Sequence, residues 1–301
     1  MAKSKGNPIS QRTILVTGAT GKQGGAALRH LRQRGFPVRA LTRDPSKPAA
    51  RALLGEGMAV VRGDYDDPAS LAKALDGVYG VFSVQTFDEA GVDGEVRQGK
   101  AMASAAQRSR ISHFVYTSVA GADRRTGIPH FESKFRIEEH LRVLGMKYTI
   151  LRPVFFMENW LGMAAQIQAG SITLPLTPER SLQQIAVDDI GAFAALAFEY
   201  PGRWQDRTVE LAGDERSMAD VASLFGRVMG HEVHYTQMAW DEFEQRAGQE
   251  MTHMWRWFQE TGYSVNIAEL RTAYPRLTSF ERWIQAQDWG ARRGGGAGTQ
   301  A

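Results

Sequence analysis

Short apolar runs alternate with amphipathic stretches along the first half of the chain. Residues 13–17 are apolar and β-branched, and glycines follow at once. Residues 26–32 then mix alanine and leucine with arginine, which is good helix-forming material. The alternation continues. It predicts strands over residues 37–43, 58–62, 78–84, 113–118 and 148–152. Helices are predicted between them, over 46–54, 68–75, 94–108 and 131–144. Asp67 is placed to cap the second of these helices, with Pro68 in its first turn. Such alternation predicts an α/β fold with a doubly wound parallel sheet and ligands outside the carboxyl ends of the strands.

Beyond Pro153 the rhythm breaks. Residues 158–168 read as a helix, and 172–174 and 184–187 as short strands. Asp188 or Asp189 is expected to cap an apolar helix ending at Phe198. A strand over 209–211, a helix capped by Ser217, a short strand at His234 and Tyr235, and an aromatic-rich helix over 250–261 follow. The expected organisation is a dinucleotide-binding domain over 12–153 and a smaller lobe over 154–290 interwoven with it. The ends, 1–11 and 291–301, are expected to be disordered tails.

The turn after the first strand carries chemistry. Gly18, Gly21 and Gly24 give a G-x-x-G-x-x-G spacing between a strand and a helix. Glycine lets backbone approach a ligand closely, and a helix N-terminus offers unpaired N–H groups to a pyrophosphate. Thr20, Lys22 and Gln23 belong to the same turn. The second strand ends in Arg43, where an NAD binder would carry an acid; an arginine fork suits a 2′-phosphate. Lys47 adds charge nearby, whereas Asp44 counts against it. The expected cofactor is therefore NADP(H). Asp64 is placed to accept from an adenine amino group, or to serve as a loop carboxylate. Ser83, Val84 and Gln85 should lie beside the cofactor sugars, and Phe87 should cover the site or pack.

Charge changes the picture little. The formal net charge is +3, but Lys3, Lys5, Arg12, Arg292 and Arg293 lie in acid-free ends. Without them the body has 31 basic against 33 acidic residues, so direct nucleic-acid binding is not expected. The chain has no cysteine, no apolar run long enough to span a membrane and no apolar signal core at its start. The cytoplasm is the expected compartment. His231, Glu232 and His234 lack further ligands, and no metal is expected.

Several further motifs appear in order. They are Thr42-Arg43-Asp44-Pro45, Gly63-Asp64-Tyr65-Asp66-Asp67, Tyr116-Thr117-Ser118, His130-Phe131-Glu132-Ser133-Lys134, Met157-Glu158-Asn159 and Val187-Asp188-Asp189-Ile190-Gly191. With the glycine turn, they resemble the NmrA-like group of atypical short-chain dehydrogenase/reductases over residues 12 to 290. The resemblance implies a Rossmann-type sheet with a smaller α/β C-terminal lobe. It also implies catalytic or cofactor roles for Ser118 and Lys134. Active dehydrogenases of the wider group carry Tyr-x-x-x-Lys, but here the position four before Lys134 is His130. Sensor members lack that tyrosine too. The expectation is thus an NADP(H)-binding redox sensor with a regulatory protein partner, and a homodimer is allowed. The alternative is a reductase of quinones or other small planar electrophiles, in which Lys134 or His130 donates a proton. Lys134 is expected chiefly to hold the nicotinamide ribose. Phe155 and Phe156 should flank the nicotinamide, with Phe87, Phe156 and Asn159 forming the substrate pocket. Trp255, Trp257 and Phe258 are given no role, because aromatics at helical spacing are more often core.

Overall fold

In a computed structural model, the apolar runs of the first half become the centre of one parallel sheet. The structure describes residues 8–88 and 90–289. The chain runs β1 (Ile14–Val16), α1 (Lys22–Gln33), β2 (Val38–Thr42), α2 (Pro48–Gly55), β3 (Ala59–Arg62) and α3 (Pro68–Ala74). It continues through β4 (Gly80–Ser83), α4 (Gly91–Arg108), β5 (His113–Thr117), α5 (Pro129–Val143) and β6 (Tyr148–Pro153). Every residue of β1, β4 and β5 is buried, as a parallel sheet covered by helices on both faces requires.

The second half is β7 (Phe155–Phe156), α6 (Ala164–Gln168), β8 (Ser171–Leu174), β9 (Ser181–Ile185), α7 (Val187–Glu199), α8 (Pro201–Trp204), β10 (Arg207–Leu211) and β11 (Asp214–Ser217). Then come α9 (Met218–Met229), β12 (His234–Gln237), α10 (Trp240–Ala247), α11 (Gln249–Glu260), α12 (Ile267–Ala273) and α13 (Phe280–Ala286). The main sheet has the order β10-β6-β5-β4-β1-β2-β3, with every neighbour parallel. The order reverses between β1 and β4, and the glycine turn follows β1 at that switch point. β10 and α7 come from the second half yet belong to the main layer, α7 packing along α1. A second core, rich in tryptophan and phenylalanine, fills the lobe around Trp160, Phe225 and Phe280.

Asp67 caps α3 by accepting from the N–H groups of Ala69 and Ser70, and Ser217 caps α9 through Asp220, both as expected. The N-terminus of α7 differs. Neither aspartate caps it; the Glu158 carboxylate accepts from the Val187 N–H with both oxygens, at 3.1 and 3.0 Å. Asp188 instead meets His30 and Arg29 of α1, and Asp189 accepts from the N–H and hydroxyl of Thr278. Helix α7 starts at Val187, earlier than the strand-like pattern of 184–187 allows, because packing on α1 overrides local propensity. The helix expected over 158–168 divides into a 3₁₀ stretch, Met157–Met163, and α6. Residues 9–11 form a 3₁₀ turn. The other residues of the two expected tails, apart from Pro8, lie outside the described residues.

Candidate functional site

The cleft begins at the switch point. Gly18 has φ +57°, which glycine adopts without strain, and a Cβ there would sit 2.7 Å from Val84 Cγ1. A Cβ on Gly24 would come within 2.6 Å of the Thr17 carbonyl oxygen and closer still to Gly18. Backbone cannot yield there as a flexible side chain could. Gly21, the N-cap of α1, carries no side-chain cap, so the first N–H groups of α1 have no side-chain acceptor. Thr20, Gly21 and Lys22 are exposed. The turn is tied down behind: the Thr17 hydroxyl donates to the Val84 carbonyl and accepts from its N–H, and Thr117 donates to Gln23 at 2.6 Å. An open helix N-terminus behind a turn that admits no side chains fits a dinucleotide pyrophosphate.

Arg43 and Lys47 are both exposed at the end of β2 and the start of α2. Asp44 does not compete with them for a ligand. Its carboxylate accepts from the N–H and hydroxyl of Ser46, at 2.8 and 2.6 Å. Those bonds, with Lys47 and Arg51 nearby, hold its pKa below the usual carboxylate value. Asp64 also makes a turn, accepting from the Asp66 N–H at 3.0 Å. That favours the loop-carboxylate reading of the two open for it.

Ser83 is fully buried and accepts from the Gln85 amide at 2.9 Å; that amide also donates to Tyr65. The Ser83 hydroxyl therefore braces the end of β4. Gln85 keeps a role through its backbone, since Lys134 Nζ donates to its carbonyl at 3.2 Å. Lys134 also donates to Glu95 Oε1 at 2.7 Å, and the other oxygen of Glu95 accepts from the Ser133 hydroxyl. Glu95 is completely buried.

Ser118 lies just past β5, and its partner was not foreseen. Its hydroxyl donates to Glu138 at 2.6 Å, and Glu138 is gripped by the Arg152 fork at 2.9 and 2.7 Å. Arg152 also meets Asp123. The hydroxyl is thus tied into a buried ionic brace between α5 and β6, while Ser118 itself lines the cavity in front of Lys134.

In front of Lys134 lies a cavity of about 540 Å³. Phe87, Phe156 and Asn159 line it. Phe155 lines it too, but packs edge-on against Trp160, Trp255 and Phe258, as part of the aromatic wall. Helix α11 roofs it with Met251, Met254, Trp255 and Phe258, and Tyr263 adds a ring. Trp257 lies on the other side, packed on Phe131 and Tyr263. Two larger hollows, of about 710 and 840 Å³, lie on the lobe along α9 and α13 and share no residue with the glycine turn.

His130 occupies the second position of α5, after Pro129. Its ring stacks on Phe87, with centroids 5.0 Å apart, and its Nδ1 lies 2.9 Å from Glu250 Oε1 on α11. The Tyr116 hydroxyl is fully buried and has no partner among the described residues. Burial, with Glu95 and Glu138 adding to it, raises its pKa well above the usual tyrosine value.

Glu95, Glu138, Arg152, Glu250 and the methionines of the roof are the residues sequence reasoning missed. A signal existed for Glu95. It shares a helical face with Gly99, Met102, Ala103 and Ala106, all buried, so a carboxylate on that face needs a partner. No local signal marks Glu250, which is 120 residues from His130.

A 31% identical relative, an NAD(P)H azoreductase of Xenophilus azovorans, aligns over 77% of this chain and 79% of its own. An NADPH-dependent quinone oxidoreductase of Escherichia coli shares the fold, with TM-score 0.78 and 24% identity over 90% of this chain and 98% of that one. So does Nmra, a negative transcriptional regulator, with TM-score 0.76 and 19% identity over 93% and 99%. The sequence pattern of the NmrA-like family matches residues 10–284. The chain belongs to the NmrA-like family, whose fold and dinucleotide turn it carries.

Proposed function

We propose that the protein is an NADPH-dependent reductase of small planar, conjugated electrophiles such as quinones and azo compounds. One observation carries this reading: the aromatic-walled cavity that faces the Lys134 ammonium at the carboxyl end of the sheet. A flat ring system gains area and edge-to-face contacts between such walls. A pure cofactor sensor has no need of that cavity.

Bound NADPH would supply a hydride. The chain's own residues do the rest. The Gly18–Gly24 turn and the start of α1 hold the pyrophosphate, and Arg43 with Lys47 reads the 2′-phosphate. The Lys134 ammonium, held by Glu95 and the Gln85 carbonyl, donates to the ribose or to an oxygen that gains charge. The methionine and aromatic roof keeps water away.

The sensor reading keeps one specific support, the absence of tyrosine at position 130. NADPH consumption against a panel of quinones, azo dyes and carbonyls separates the two. Turnover of a quinone or azo dye that saturates with substrate is expected; binding of NADPH with no turnover of any acceptor would select the sensor. Lys134→Ala should weaken NADPH binding. It also strips Glu95 of its cation, so it should cost roughly 3 kcal/mol of stability in denaturant unfolding.

A further inference from the structure

We propose that His130 and Glu250 form an acid/base dyad that delivers the proton when this site reduces an azo bond. The inference rests on the reductase reading. The position four before Lys134 is where a proton donor belongs in the wider dehydrogenase group, and a histidine can do the same work. What the sequence leaves undecided is whether anything orients the ring. The structure supplies it twice. Phe87 stacks on one face, and Glu250 holds Nδ1 at 2.9 Å.

An ionised carboxylate only accepts, so Nδ1 carries a hydrogen and donates it to Glu250. Nε2 is then the working nitrogen. It has no hydrogen-bond partner among the described residues, and the ring forms part of the cavity wall. The side chain of His130 is 11% exposed and that of Glu250 43%. The ring is therefore sheltered, while its carboxylate stays in reach of water. Asp88 and the Lys134–Glu95 pair are the other charged groups on that wall, and Tyr263 is a further titratable one. His253, one turn along α11, lies against Gly127.

The balance is simple. Addition of a hydride to an azo nitrogen leaves the other nitrogen anionic. The Nδ1–H ring takes a proton from water on Nε2, and that Nε2–H bond breaks as an N–H bond forms on the anionic nitrogen. The products are a neutral hydrazine, hydroxide and the Nδ1–H imidazole restored. A reduced azo nitrogen is strongly basic and gains much from a placed donor. A quinol oxygen is a weak base, and water can protonate it. Because Glu250 sits in the first turn of the roof helix, the donor is complete only when α11 lies over the cavity.

Glu250→Gln tests this, at a half-exposed site where folding is not at risk. Azobenzene-type dye turnover at saturating NADPH should fall about 10–100-fold, and menadione turnover by a factor at least about threefold smaller than that. His130→Phe keeps the stack on Phe87. It should show the same selective loss, with no further fall when both changes are combined. Nitrogen-15 NMR of the full-length protein without added cofactor should find the His130 proton on Nδ1 in the wild type, and a tautomer mixture in Glu250→Gln. Equal losses for dye and quinone, no loss for either, or a wild-type ring protonated on Nε2 alone would overturn the dyad. A wild type that reduces no acceptor would remove the reductase reading and the dyad's proton-transfer role together. An active wild type with an unaffected Glu250→Gln would remove the dyad alone.

Discussion

The cleft has a floor made of main chain and a roof made of side chains. On the floor, Gly18 and Gly24 press against Val84, Thr17 and each other, and nothing larger than hydrogen fits. On the roof, Trp255, Phe258 and Met254 meet Phe155 and Phe156 across a cavity, and their identities set its shape. A pyrophosphate is the same in every dinucleotide, so a backbone cradle suits it. A substrate varies, and side chains on a separate helix can be exchanged without disturbing the cradle. The comparison teaches that changes on the floor should abolish binding outright, whereas changes on the roof should alter which acceptor is taken.

The largest effect is expected on the floor. Gly24→Val forces a clash with backbone at Thr17 and Gly18, and should remove NADPH binding and lower the unfolding midpoint together. Gly21→Val sharpens this. Its Cβ would stand 3.3 Å from the Gly18 oxygen, a tight contact that a shift of a few tenths of an ångström relieves, so the fold should survive while binding is lost, because the side chain stands at the pyrophosphate. Normal calorimetric binding by Gly21→Val would break the floor assignment.

Next comes the roof. Trp255 is 7% exposed and touches three aromatic rings. Trp255→Ala should cost about 3–5 kcal/mol of stability. Below its unfolding midpoint it should raise KM for flat acceptors and leave the NADPH dissociation constant within about twofold. A matching loss of cofactor affinity would mean that roof and floor are one site in energy as well as space.

A smaller effect is expected where the floor meets solvent. Arg43→Ala should weaken NADPH by roughly 1–3 kcal/mol, the scale of a charge-assisted contact, and leave NADH nearly unchanged. Titration of both cofactors checks it; equal losses would assign Arg43 a general role.

The smallest effect belongs to the seam between the halves. Burial pushes the Asp189 carboxyl up to about 6, while the Thr278 bonds pull the other way. Its neighbour Asp188 is held down at about 2 by His30 and Arg29. A folded pKa above the unfolded one means the native state binds more protons between about pH 4 and 6. Stability should therefore fall as pH rises through that window. Asp188 acts in reverse, stabilising above pH 4 and losing that contribution as pH falls toward 2. Asp189→Asn should remove the first slope and gain about 1–2 kcal/mol at pH 7 in urea unfolding. An unchanged slope between pH 4 and 7 would show that Asp189 is already ionised in the fold.

The sequence by itself determined the parts written in neighbouring residues. The glycine turn, the strand–helix alternation and the caps at Asp67 and Ser217 were all legible there. Each depends on a local periodicity or on a side chain a few residues from its partner. Tertiary structure alone decided what each polar group does. Ser118 stands at the cavity as its position suggests, but only the fold shows Glu138 taking its hydroxyl hydrogen. Lys134 looks like a lone cation until Glu95, 39 residues away, is found beneath it. Glu158 caps a helix that either Asp188 or Asp189 was expected to cap, because α1 draws Asp188 away and Thr278 holds Asp189. Glu250 reaches His130 only because the chain folds a late helix back over the sheet. Hydrogen bonds and ion pairs are short-ranged, and distance along the chain says nothing about which donor will stand beside which acceptor. Only the packed fold brings them together.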